Sequence, residues 1–228
     1  MQTIHERHGL ATLNRALRQL DLALARVPEL SSHRPAVAAL RQRLTAAQGA
    51  HEDVREQRIA ASAEIAYYDE EIDWSVVDAG QTLYLQVGRD RNAPAYKTLF
   101  PVSPSQMTAD LASPRQETWV TALVDTIRRD DAYAALRPVA DALAGLSDRL
   151  SQAQARRKEL YVQEAQTRGA LMAVADEARR FYNGLYHQFM VALPDRKRLV
   201  ESLFMTFSTA DAAGTPEAPV TDPVADPV

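Results

Sequence analysis

DAYAALRPVADALAGLSDRLSQAQARRKELYVQEAQTRGALMAVADEARRFYNGLYHQFMVAL, residues Asp131 to Leu193, decides the fold. Leu136, Val139, Leu143, Leu146, Leu150, Ala153, Leu160, Leu171, Val174, Ala178, Phe181 and Leu185 fall at alternating steps of three and four. Arg157, Glu164 and Thr167 fill the remaining places of the same series. This is one face of an α-helix, held from Leu136 to Leu185 over seven heptads. No proline interrupts it between Pro138 and Pro194. A helix of about 60 residues is about 90 Å long at ~1.5 Å per residue, so it needs partner helices to bury its seam.

The first half of the chain supplies a second seam. Val37, Leu40, Leu44, Ala47, His51, Val54, Arg58, Ala61, Ile65, Tyr68 and Ile72 keep the three-four spacing, and Val76, Leu83 and Val87 continue it after a stutter. The spacing predicts a long helix from Pro35 to about Val87, with Gly80 as the point where it could break. A shorter helix is expected over Ile4–Val27, with Pro28–Pro35 as a turn. Residues 88–113 are punctuated by Gly88, Asn92, Pro94, Pro101 and Pro104 and read as irregular, with Tyr96, Leu99, Phe100 and Met107 as a small packed cap. Ser113, Pro114 and Gln116 resemble a helix start, and that helix runs to about Arg129, burying Trp119, Leu123 and Ile127. Asp130 or Asp131 caps the long helix that follows, and Asp195 caps a last helix over Arg196–Phe207.

The expectation is an all-α chain: an elongated, antiparallel, coiled-coil-like hairpin of two long helices, with shorter helices forming a bundle at each end. Facing residues are expected to have numbers summing to about 225. That sets Leu40 against Leu185, Leu44 against Phe181, Ala47 against Ala178 and Ile72 against Ala153. Residues 1–208 form one helical domain in this reading. Residues 209–228 are Pro- and Ala-rich, carry Asp211, Glu217, Asp222 and Asp226 without a basic residue, and read as a disordered tail.

That tail holds the whole formal charge of −4, which leaves the rest of the chain neutral. A neutral body argues against general nucleic-acid binding. The absence of cysteine excludes disulfides, thiolate metal sites and cysteine nucleophiles. The polar start, Met1–Leu10, lacks a signal-peptide pattern, and no apolar run is long enough for a membrane span. A cytoplasmic protein is expected.

Each candidate site has a bland reading and a functional one. His51, Arg58, Arg157 and Glu164 bring polar groups to the middle of the seams; they reach water there, or Arg58 and Glu164 pair and fix the register. His5 and His8 stand at i, i+3 but make a weak metal site and read as solvated. Asp69, Glu70, Glu71 and Asp73 point in different directions and also read as solvated. Phe181, Tyr182, Tyr186 and His187 read as core packing, or as the lining of a ligand pocket. Arg179, Arg180, Arg196, Lys197 and Arg198 read as a solvated basic face, or as a seat for an acidic partner or the acidic tail. Trp74, Tyr84, Tyr96, Phe100 and Trp119 read as a local core; exposed, they would mark a protein-binding patch. No glycine-rich phosphate loop, Gly-x-Ser-x-Gly or His-Glu-x-x-His occurs. The leading expectation is a non-enzymatic scaffold or protein–protein interaction protein with no cofactor, no metal and no catalytic residue, acting through a protein partner or self-association. A small-molecule or metal-binding helical bundle and a helical pore former are the alternatives.

Overall fold

The computed structural model describes residues 3–108 and 114–206. The tail, Ser113 and Phe207 therefore lie outside the described residues. Among the described residues the secondary structure is helical, with no strand. The helices are α1 (Leu10–Leu24), α2 (Arg34–Gln86), α3 (Pro94–Leu99), α4 (Pro104–Met107), α5 (Pro114–Arg129), α6 (Arg137–Ala192) and α7 (Lys197–Leu203). The two long helices, α2 and α6, pair as expected, and the chain divides into two compact units: Met1–Asp53 with Ala165–Val228, and Val54–Glu164.

In the first unit, α1 buries Leu13, Leu17, Leu20 and Leu24 against Leu40 and Leu44 of α2 and Ala178, Leu185 and Phe189 of α6. The helix starts at Leu10, not Ile4, because the residues before it are tied elsewhere. The Ile4 N–H donates to Asn183 Oδ1 and the Asn183 amide donates back to the Ile4 carbonyl, both at 3.0 Å. Gly9 is extended at the N-cap. A 3-10 turn, Pro28–His33, leads straight into α2. A second, Pro194–Arg196, precedes α7, whose N-cap position is Arg196 without a side-chain cap, so Asp195 does not play the expected part. α7 ends at Leu203 because Phe204 turns extended, which lets the Met205 N–H donate to the buried Tyr182 hydroxyl at 2.9 Å.

In the second unit, Ile65, Ile72, Val76, Ala79 and Leu83 of α2 meet Leu123 and Ile127 of α5 and Leu136, Ala140 and Leu143 of α6. Residues 88–108 are more ordered than their punctuation suggests. They contain α3 and α4, and they bury Tyr96, Leu99, Phe100 and Met107 as a cap on this core. α2 closes with Gly88 at φ +70 and an Arg89 N–H to Tyr84 carbonyl bond of 2.8 Å, a left-handed stop that glycine adopts without strain. Gly80 does not break the helix: a Cβ there would stand 2.5 Å from Pro104 Cγ, so the missing side chain admits the α4 segment. Asp130 accepts from the Ala132 N–H at 2.9 Å and opens a 3-10 turn, Asp131–Leu136, before α6.

Polar pairs show the antiparallel direction in both units. Arg43 holds Glu177 through two bonds of 2.8 and 2.7 Å and His51 meets Thr167 at 3.3 Å in the first; Arg58 meets Glu164 at 2.6 Å and Arg156 meets Glu64 at 3.8 Å in the second. Their numbers sum to 218 to 222, one to two helical turns short of 225, and the Arg58–Glu164 pair is the one the sequence offered. A heptad seam looks alike after a slip of one turn, and only the polar partners tell the registers apart.

Candidate functional site

Two of the sequence's candidate clusters resolve into structural parts. Arg58 is only 5% exposed rather than reaching water, with its guanidinium on Glu164 and 4.9 Å above the Tyr161 ring. Arg157 is half-buried. Tyr182 is a core residue whose burial pushes its hydroxyl up to about 12, and Phe204 stands edge-on to it at 5.1 Å. Tyr186 and Phe181 are half-buried beside this core, and His187 faces solvent. One groove of about 660 Å³ lies beside Ile4, Arg7, Arg180 and Asn183, and another of about 510 Å³ beside Tyr84, Arg91, Phe100 and Pro104. Neither is lined by Phe181, Tyr182, Tyr186 or His187.

Of the two histidines and the basic cluster, only His8 and Arg179 depart from the solvated reading. His8 is buried and accepts from the His5 N–H at 2.9 Å, in a turn rather than on a helix. Arg179 is buried, donating to Asp176 at 2.7 Å and to the His8 carbonyl at 3.3 Å. Arg180, Lys197 and Arg198 are exposed, as is Arg196, which pairs with Glu29 at 3.1 Å. Among the described residues no group of three or more His, Asp or Glu is placed to hold a metal ion, and no helix is long and apolar enough to cross a membrane.

The acidic run on α2 splits between inside and outside. Asp69 is buried, Asp73 half-buried, and Glu70 exposed. Gln116 of α5 donates to Asp73 at 3.0 Å. Burial and the neighbouring Asp69 carboxylate nevertheless push Asp73 up to about 6.

The aromatic cluster follows the local-core reading except at Trp74. Tyr96 and Phe100 are buried and Tyr84 and Trp119 half-buried, but Trp74 is 67% exposed. It has company. Tyr67 is 59%, Leu85 55%, Ile59 50% and Val77 44% exposed, and Ala63 is exposed as well. At ~100° per residue these six positions of α2 lie within an arc of about 80°. The buried positions Ile65, Ile72, Val76, Ala79 and Leu83 centre on the opposite side of the same helix. The outward face of a surface helix is normally polar, and single exposed apolar residues are ordinary; an aligned stripe with a tryptophan and a tyrosine is not. The stripe's period was visible in the sequence. What hid it was the larger core seam beside it, which offered a home for every aromatic.

Comparison with known proteins finds no matching family model, curated protein or solved structure.

Proposed function

We propose that this chain is a non-enzymatic helical protein of the cytoplasm that works by binding another protein, as an interaction or scaffold component rather than a nucleic-acid binder. The observation that carries this reading is the outward stripe of α2, Ile59, Ala63, Tyr67, Trp74, Val77 and Leu85. Trp and Tyr supply much of the binding energy of protein interfaces, and an apolar row on the solvent side of a long helix is the form of a helix-packing surface. The neutral charge of residues 1–208 supports a protein rather than a nucleic acid as the partner.

Affinity capture from the native host tests it, with the wild-type chain and with Trp74→Asp as baits. A defined protein retained by the wild type and lost with the variant is the expected result. Identical retained sets from both baits would refute the reading. Trp74 is largely exposed, so the variant should keep the helical circular-dichroism spectrum of the wild type.

A further inference from the structure

We propose that the partner presents a basic amphipathic helix, which docks lengthwise on the outward stripe of α2. The inference rests on the interaction reading above and adds the chemistry of what binds.

The argument is one of charge around an apolar row. From Ile59 to Gln86, α2 carries Glu64, Asp69, Glu70, Glu71, Asp73 and Asp78 and no Lys, Arg or His. Asp69 is buried and Glu64 pairs with Arg156 at 3.8 Å. The others frame the stripe. Glu70 is exposed within its arc, Glu71 and Asp78 fall along one flank, and Asp73 along the other. Glu70, Glu71 and Asp78 have no ion-pair partner among the described residues. An apolar groove-filling row edged by unpaired carboxylates is complementary to a helix with an apolar seam and Lys or Arg beside it. A second copy of this chain is a poor fit, because its own stripe would bring the same carboxylates against these. An anionic lipid surface is repelled for the same reason. From Ile59 to Leu85 the stripe runs for about 39 Å at ~1.5 Å per residue, so it matches a partner helix of about seven turns.

The test titrates the full chain with a synthetic helical peptide of about 28 residues, Leu on its seam and Lys on its flanks, by isothermal calorimetry. A second peptide replaces every Lys with Glu. The expected result is saturable one-to-one binding of the Lys peptide, at least about tenfold tighter than the Glu peptide and weakened by added salt. Trp74→Asp and Leu85→Asp supply the decisive control, since both make the surface more acidic while breaking the row. Binding by charge alone would strengthen in these variants; docking on the stripe weakens by about tenfold or more. Equal binding of both peptides would overturn the basic-helix assignment and leave the interaction reading standing. Tighter binding to the variants, no binding of the Lys peptide, or a wild-type chain that dimerises in sedimentation through residues Trp74 and Leu85 would each overturn the inference. The host capture experiment decides the interaction reading separately.

Discussion

Replacing Arg58 with Leu tests whether the buried ion pair sets how the two long helices of the second unit pack. Arg58 has 6% of its side chain accessible and Glu164 21%, with 2.6 Å between them and the guanidinium over Tyr161. Truncating one member of a fully buried pair costs ~3–5 kcal/mol, because the other charge is left without compensation. Glu164 retains a path to water, so the expected loss for Arg58→Leu is smaller, about 2–3 kcal/mol. That figure includes ~1 kcal/mol for the lost stacking of cation on ring. Glu164→Leu alone leaves the less accessible charge behind and should cost at least as much. The double variant removes both charges and replaces them with apolar side chains of similar reach. It should come within about 1 kcal/mol of wild type, or exceed it. Urea unfolding of all four proteins completes a double-mutant cycle, with an expected coupling of about 2 kcal/mol or more. Single variants that each lose less than about 0.5 kcal/mol would show that the pair carries no such weight. If the double variant is stable but its hydrogen-exchange protection between α2 and α6 is redistributed, the pair's contribution is to register rather than to stability.

Other outcomes follow from single positions. Gly80→Ala improves helix propensity by ~1 kcal/mol, but its Cβ would meet the Pro104 ring at 2.5 Å; thermal melting should show a net loss of about 1–2 kcal/mol, and a stabilised protein would contradict the close approach of α4. Asp73 has a folded-state value of about 6, above its ordinary 3.8, so its ionisation opposes folding above about pH 6 and the penalty fades as pH falls towards 4. Asp73→Asn should therefore raise stability at pH 7.5, by less than ~1 kcal/mol given the solvent screening of a half-exposed group, and the gain should shrink at pH 5. A variant less stable than wild type at pH 7.5 would contradict the strain on this carboxylate. Tyr182→Phe removes the acceptor for the Met205 N–H and should lower stability by about 1 kcal/mol in urea unfolding, while an unchanged midpoint would place no weight on that bond.

What the sequence made legible was the strongest periodicity. Seams sustained over many heptads can be buried only by long paired helices, so α2 and α6 could be placed to within a few residues. Gly80 was harder, because the reason for glycine at that position is Pro104, more than twenty residues away and on another element. The extent of α1 was hidden for a similar cause: Ile4 fits the helical spacing, but a side-chain amide 179 residues later holds its backbone in another conformation. The register was legible only to within a turn or two, because apolar residues at three-four spacing do not distinguish one turn from the next. The buried charge at Arg179 was read as solvated because hydropathy carries no information about a partner, whereas the heptad spacing did offer Glu164 as a partner for Arg58. The candidate site failed to surface for the opposite reason. α2 has two apolar stripes, and a single sequence gives no sign of which one lacks a neighbour within the chain.

The most direct measurement is acrylamide quenching of Trp74 fluorescence in the full chain carrying Trp119→Phe, alone and with the Leu/Lys peptide. The free protein should be quenched nearly as readily as an exposed indole, and saturating peptide should shield it and shift its emission to the blue. An indole already shielded in the free chain, or one still open to quencher when the peptide is bound, would contradict the claim that this face of α2 is a vacant docking surface.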